Sequence, residues 1–269
     1  MRILVVIPCL NEQQALPALL GQLGVAAGAS RHQLVPLVID DGSTDSTAAV
    51  ARGLGVRVVR LRSNLGIGGA VQTGLRVAHE EQFDAAVQLD GDGQHPAEEI
   101  DALLAPLFAA EEPHDLVIGS RYLGNGPFRS TFLRRAGKAW LSIVLRAVYQ
   151  VWVTDPTSGF RAFGPRALRL FQAQFPYDFP EPESVALCRL AGLRVSEVAA
   201  TMRARQGGES SISGLAPIWY VLKVTAAVLL SGLRGARQRA RMEALCRTSS
   251  PPIGSLPSSV SPARSRSSG

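Results

Sequence analysis

The chain is 269 residues long, 46% hydrophobic and 19% charged, with a formal net charge of +6. That length buries a sizeable core and suits one α/β domain followed by a tail. Cys9, Cys188 and Cys246 lie far apart with no C-x-x-C spacing, which suggests neither a zinc site nor a disulfide framework and fits a reducing cytosol.

The charge is uneven. Residues 234–269 hold seven arginines and one acid, whereas residues 1–233 balance 21 basic against 21 acidic groups, so the whole excess belongs to the C-terminal end. Lysine is nearly absent, and the Arg/Ala/Gly bias reads as genomic composition and not as the footprint of a nucleic-acid partner.

Apolar β-type runs are predicted at about 3–8, 34–40, 56–61, 84–90 and 115–119. They alternate with helix-like segments at about 13–25, 45–53, 68–81 and 97–110, the pattern of βαβ units in a mostly parallel sheet flanked by helices. The first run is too short, and too soon interrupted by Asn11-Glu12, for a signal peptide. Asp45 reads as a helix N-cap and Pro96 as a first-turn proline. After Arg121 the pattern changes to a loop, Gly124-Asn125-Gly126-Pro127, and then an apolar helix at about 132–152. A second apolar stretch covers 215–233, and 249–269 are Ser, Pro and Arg with almost nothing to bury, the composition of a disordered tail.

Three of the predicted strands end in acidic or amide residues. The fourth runs into Asp90-Gly91-Asp92-Gly93-Gln94-His95, the second into Asp40-Asp41-Gly42-Ser43-Thr44-Asp45, and the first into Pro8-Cys9-Leu10-Asn11-Glu12. A single D-G-D is an ordinary turn. Three such ends converging where open α/β sheets bind ligands indicate a site, and an Asp-x-Asp supplies hard oxygens for Mg²⁺ or Mn²⁺, which in turn bridge phosphates. Asn64-Leu65-Gly66-Ile67-Gly68-Gly69-Ala70 is not a dinucleotide fingerprint, because Val71 stands where its third glycine is required. Glycines here let the backbone approach a bound nucleotide.

With these motifs in place, followed by G-S-R-Y, D-P-T-S-G-F-R and P-E-P-E, the sequence resembles the family 2 glycosyltransferases of GT-A fold. Within them it is similar to the branch of dolichyl-phosphate mannose synthase and the bacterial polyprenyl-phosphate glycosyltransferases. The resemblance runs from Ile3 to about Ile212 and implies a GT-A domain over 1–212. It implies a UDP-, GDP- or dTDP-linked sugar donor held by Pro8, Asn11, Glu12, Asp40, Asp41, Asn64, Gly69, Asp90, Gly91 and Arg203. A Mg²⁺ or Mn²⁺ ion on Asp90, Asp92 and Gln94 would act on the diphosphate leaving group. Arg121 and Arg135 would orient a polyprenyl phosphate, with Arg134, Ser158 and Arg161 on the acceptor side. Guanidinium forks match phosphate oxygens.

Many hydroxyl-transferring relatives carry a Glu-Asp pair, whereas the matching region here reads Phe179-Pro180-Glu181-Pro182-Glu183. A phosphate acceptor is already an anion and needs no base, so the sequence leans to a lipid phosphate, although Glu181 or Glu183 remains a candidate base for a hydroxyl acceptor. Both glutamates also suit a helix N-terminus. An inactive nucleotide-sugar-binding scaffold is disfavoured by the retention of Asp41, Asp90, Asp92 and Arg121 together.

The nineteen residues 215–233 would just span a bilayer at ~1.5 Å each. A single crossing, however, would put the arginine-rich end opposite a cytosolic catalytic domain and invert the positive-inside rule. A helix over 213–241 lying on an anionic membrane surface, its basic end touching lipid and 242–269 trailing free, is preferred to a span or to a helix packed on the protein. The expected location is the cytoplasm, peripheral on the inner face of the membrane. A homo-oligomer is left open.

Overall fold

A computed structural model describes residues 1–124, 132–202, 216–233 and 235–247. Among these residues seven strands form one sheet in the order β3-β2-β1-β4-β6-β5-β7. The first half alternates strand and helix: β1 (Arg2–Cys9), α1 (Leu16–Ala29), β2 (Gln33–Asp40), α2 (Thr47–Gly53), β3 (Arg57–Arg60), α3 (Gly66–Glu80) and β4 (Ala85–Gln88). These four strands run parallel, with β1 between β2 and β4. From Ile3 to Cys9 strand β1 is buried without interruption, as expected of a parallel strand covered on both faces.

The helix expected at 97–110 is broken. A 3₁₀ turn at Ala97–Glu99 leads into α4 (Ile100–Leu104), and a second 3₁₀ turn follows at Ala105–Phe108. Pro106 lies in that second turn, where its missing N–H and its ring end regular α-helix. The boundary residue of α2 is Ser46, one position later than predicted. Asp45 still caps from outside, since its Oδ1 accepts the Thr47 amide at 2.9 Å and its Oδ2 accepts the Gln13 amide at 3.2 Å.

The second half contains β5 (Leu116–Ser120), α5 (Phe132–Tyr149), β6 (Arg161–Phe163), α6 (Pro165–Ala173), α7 (Pro180–Leu190) and β7 (Val195–Ala199). Strand β6 is three residues long and inserts antiparallel between β4 and β5, Arg161 pairing with Gln88 on one side and Ile118 on the other. Because β6 runs backwards, its first residue lies at the edge where β4 and β5 end. The D-P-T-S-G-F-R segment is thereby delivered to the same edge as the acidic motifs.

Two cores flank the sheet. One lies under α1 and α4. The larger one gathers α3, α5, α6 and α7 together with two C-terminal helices, α8 (Ala216–Leu233) and α9 (Gly235–Arg247). Part of the stretch 213–241 therefore packs on the domain, and residues 242–247, expected in the disordered tail, are helical. Val224 and Val228 of α8 and Met242 of α9 are fully buried, Tyr149 Oη donates to the Val228 carbonyl at 2.6 Å, and Arg169 Nε donates to the Cys246 carbonyl at 3.1 Å. No helix among the described residues is long and apolar enough to cross a membrane.

Candidate active site

A cleft of about 550 Å³ opens at the carboxyl ends of β1, β2 and β4. Eight of the residues predicted from sequence line it: Pro8, Asn11, Glu12, Asp41, Asn64, Asp90, Gly91 and Asp92. Cys9, Leu10, Gly66, Ile67 and Ala70 complete the wall. Asn11 holds the left-handed backbone (φ 58°) that asparagine tolerates, and its Oδ1 accepts the Thr44 amide at 2.9 Å, tying the first loop to the second. Glu12 is fastened the same way, its amide donating to Thr47 Oγ1 at 2.9 Å.

The paired aspartates differ. Asp40 is fully buried, with Oδ1 accepting the Ser43 amide at 3.0 Å and Oδ2 3.1 Å from Arg60 Nε, so its carboxylate shapes the loop instead of lining the cleft. Asp41 faces the cleft. Burial raises its pKa, against the lowering effect of the Leu65 and Gly66 amides. Gly69 also lies off the wall: a Cβ there would press on the Leu65 side chain, so this glycine serves the tight entry to α3.

Asp90 and Asp92 bring two hard-oxygen donors to the cleft floor. Asp90 Oδ1 accepts from Gln88 Nε2 at 3.1 Å, and Oδ2 lies 3.5 Å from His95 Nε2. Burial pushes the Asp90 pKa up, but His95, Gln88 and Arg121 together outweigh it, and the net shift is downward. The carboxylate is therefore ionised under ordinary conditions. His95 is buried and stacks on Phe160 with ring centroids 5.2 Å apart. Asp92 Oδ1 accepts the Gln94 amide at 3.0 Å. Gln94 contributes that backbone contact, and its side chain is not on the cleft wall.

Two glycines make room for this pair. A Cβ on Gly91 would meet Cys9 Sγ at 2.7 Å, and one on Gly159 would meet Asp90 Oδ1 at 2.9 Å. Among the described residues no group of three or more His, Cys, Asp or Glu gathers as a self-sufficient metal centre. Two carboxylates beside an open cleft fit a divalent cation that takes its remaining oxygens from a bound diphosphate.

Arg121 leaves the end of β5 and is clamped by Asp155, with Nε to Oδ2 at 2.6 Å and Nη2 to Oδ1 at 2.7 Å, a bidentate fork onto a fully buried carboxylate. Asp155 is itself positioned by Glu197 of β7, whose carboxylate accepts the Asp155 amide at 2.8 Å and the Thr154 amide at 2.5 Å. Sequence reasoning missed Asp155 and Glu197. The available signal was charge balance, since an arginine closing a buried strand needs a carboxylate nearby. Arg135 is exposed on α5. Arg134's side chain and Arg203 lie outside the described residues.

Ser158 and Arg161, expected on the acceptor side, are interior braces. Ser158 Oγ donates to the Gly119 carbonyl at 2.6 Å. Arg161 is 1% exposed and donates to the carbonyls of Ser158 (2.7 Å), Glu181 (2.8 Å) and Pro156 (3.0 Å) and to Ser184 Oγ (2.6 Å). It staples the motif loop to the start of α7 and presents no face to the cleft. Glu181 and Glu183 occupy the first turn of α7. Burial raises the Glu181 pKa, against the lowering effect of Arg161.

A mostly parallel sheet with acidic loops at its carboxyl edge, an Asp-x-Asp lining the cleft and a clamped arginine within electrostatic reach of Asp90 defines a nucleotide-sugar-dependent transferase of GT-A architecture. Residues 4–170 match the model of glycosyl transferase family 2, and the chain belongs to that family. It is 33% identical over 249 residues to the undecaprenyl-phosphate mannosyltransferase of Micrococcus luteus, covering 89% of this chain and 99% of that protein. It is 31% identical to the polyprenol monophosphomannose synthase of Mycolicibacterium smegmatis, covering 89% and 90%. The fold also matches glucosyl-3-phosphoglycerate synthase from Mycobacterium tuberculosis, solved with Mn²⁺, UDP and glucosyl-3-phosphoglycerate, at a TM-score of 0.60 and 23% identity over 86% of this chain and 79% of that one.

Proposed function

We propose that this glycosyltransferase moves a sugar, with inversion, from a nucleotide diphosphate sugar to a polyprenyl phosphate at the cytosolic membrane face. One observation supports the reading: Arg121, at the end of β5, lies near enough to Asp90 of the donor cleft for each to shift the other's pKa, so a cationic group of the kind an anionic acceptor seeks adjoins the donor site. The acceptor's phosphate oxygen is the nucleophile and needs no general base. Asp41 would accept hydrogen bonds from the nucleoside, and Asp90 and Asp92 would hold Mg²⁺ or Mn²⁺. Such an ion, when bound, neutralises charge on the departing nucleoside diphosphate. Mannose appears in the names of both relatives and is the first sugar to test.

The membrane reading draws support from the outer faces of α5 and α8. Trp140 and Ile143 are 49% and 52% exposed, and Leu222, Leu229 and Leu230 are 56%, 42% and 56% exposed. Trp140 Nε1 donates to Thr225 Oγ1 at 3.1 Å, which joins the two helices into one apolar face. Such a face suits an interfacial surface.

The test is a transfer assay over mannose donors and then UDP-, GDP- and dTDP-sugars, with polyprenyl phosphate, polyprenol or 3-phosphoglycerate as acceptor. Transfer to polyprenyl phosphate that stops on chelation is expected, and Asp92→Asn should lower turnover by orders of magnitude at a nearly unchanged melting temperature. Replacing Glu181 and Glu183 by Gln should cost less than the ~10²–10⁴-fold typical of a lost general base. Transfer to polyprenol or to 3-phosphoglycerate instead would overturn the acceptor, and indifference to chelation would overturn the metal.

A further inference from the structure

The cations gathered around the end of β5 are not equivalent. Arg121's charge is matched by Asp155 through two short bonds. Lys138, on α5 and one turn beyond Arg135, is half-buried, and its ammonium lies over the face of the Tyr122 ring. Arg121's guanidinium carbon sits 5.9 Å from the centre of that same ring. Two cations thus share one aromatic residue in a partly dehydrated place.

The charged groups around Lys138 are Asp155, Glu197, Arg121 and Arg135. Both carboxylates are engaged elsewhere, Asp155 by the Arg121 fork and Glu197 by the amides of Thr154 and Asp155. Among the described residues Lys138 forms no salt bridge. Burial pushes its pKa down to about 8, with Arg121 and Arg135 pushing the same way and Asp155 and Glu197 acting against them. The neighbouring packing is close: a Cβ on Gly137 would meet Val221 Cγ2 at 2.7 Å, so the glycine next to the lysine lets α8 close against α5. A partly buried ammonium with no carboxylate of its own is short of an anion.

We propose that Lys138 binds the phosphate monoester of the acceptor, its three N–H donors completing a receptor with Arg121 and Arg135. This rests on the phosphate-acceptor reading above and adds a ligand that the arginine pattern does not contain. An ammonium is a compact point charge that turns to follow phosphate oxygens, whereas Arg121 is fixed by its fork. The phosphate could belong to a lipid headgroup or to a small phosphorylated acid, and the assay arms separate them.

The experiment compares wild type, Lys138→Met and Lys138→Arg in calorimetric titrations with a short polyprenyl phosphate, the matching polyprenol and 3-phosphoglycerate, and in transfer kinetics with whichever acceptor reacts. Lys138→Met should weaken binding of the phosphate-bearing acceptor at least tenfold, leave polyprenol binding and donor affinity within twofold, and raise KM more than it lowers kcat. Lys138→Arg should restore most of the loss. The sign with pH follows from the ammonium being the binding form, so kcat/KM for the acceptor should fall as pH rises through about 8 in wild type. That limb should move to higher pH in Lys138→Arg and vanish in Lys138→Met. Unchanged acceptor affinity in Lys138→Met, or an alkaline limb that persists in it, overturns the assignment while leaving the phosphate-acceptor reading intact. Wild type that binds neither phosphate-bearing compound overturns both.

Discussion

Gly159→Ala is the sharpest available perturbation of the donor site, because the backbone there does not demand glycine and the added methyl has one principal obstacle. The new Cβ would lie 2.9 Å from Asp90 Oδ1 and 3.0 Å from its Cγ. An ordinary contact is ~3.5 Å or more, so with both oxygens crowded the carboxylate must retreat by roughly 1 Å. That movement breaks its alignment with Gln88 Nε2, 3.1 Å away, and with His95. A displacement of ~1 Å in a positioning group costs about 10²-fold in rate. The cost to folding is smaller, about 1–3 kcal/mol as for modest overpacking, because Asp90 is the end of a side chain at an open cleft. Initial rates across a Mn²⁺ titration, with a thermal melt on the same sample, separate the two effects. A Gly159→Ala enzyme with wild-type rate and metal dependence would show that Asp90's position does not matter to transfer.

Arg161→Met should destabilise the fold by about 3–5 kcal/mol in urea unfolding, since it strips the partners from several buried carbonyls and Ser184, and nucleotide affinity per folded molecule should be unchanged. Met242→Ala should cost about 2–5 kcal/mol by the same measurement, because α9 contributes a fully buried side chain to the core. Donor affinity should decline on acidification, beginning at a higher pH than for an ordinary aspartate, since burial raises the Asp41 pKa and the carboxylate is the binding form. Calorimetry of Asp41→Asn, which should be weaker at neutral pH and flat over the same acidic range, checks the origin.

The five strands read from apolar runs stand where expected: β1, β4 and β5 are buried almost throughout and β2 ends in a polar motif, while the half-exposed β3 is held by its parallel pairing with β2, and the cleft followed from where the strands end. Strand β6 was invisible for a physical reason. It spans three residues and opens on Arg161, a charge that looks exposed until the carbonyls that satisfy it are known. Strand β7 is only partly buried, and Val195-Ser196-Glu197 gives it little apolar signal. The apolar stretch at 215–233 was read by its hydropathy, which cannot distinguish a membrane surface from the neighbouring α5 and α7. Roles were hardest to assign where a motif residue acts through packing, as with Ser158, Arg161 and Gly69.

The backward strand β6 has a consequence for the order in which the molecule can be assembled. Among the described residues, β1 to β4 are joined to β5 and β7 within the sheet only through Arg161–Phe163. As the chain is synthesised, the outer side of β4, the apolar Ala85-Ala86-Val87-Gln88, therefore has no partner until those residues have emerged. β5 appears some forty positions earlier, yet in the finished sheet β6 stands between it and β4. Over that interval the nascent protein carries a bare strand edge next to a nearly complete nucleotide-binding half, the arrangement most prone to pair with the wrong chain. Slower synthesis between β4 and β6 should therefore lower the yield of active enzyme, because it lengthens the time that this edge stays bare.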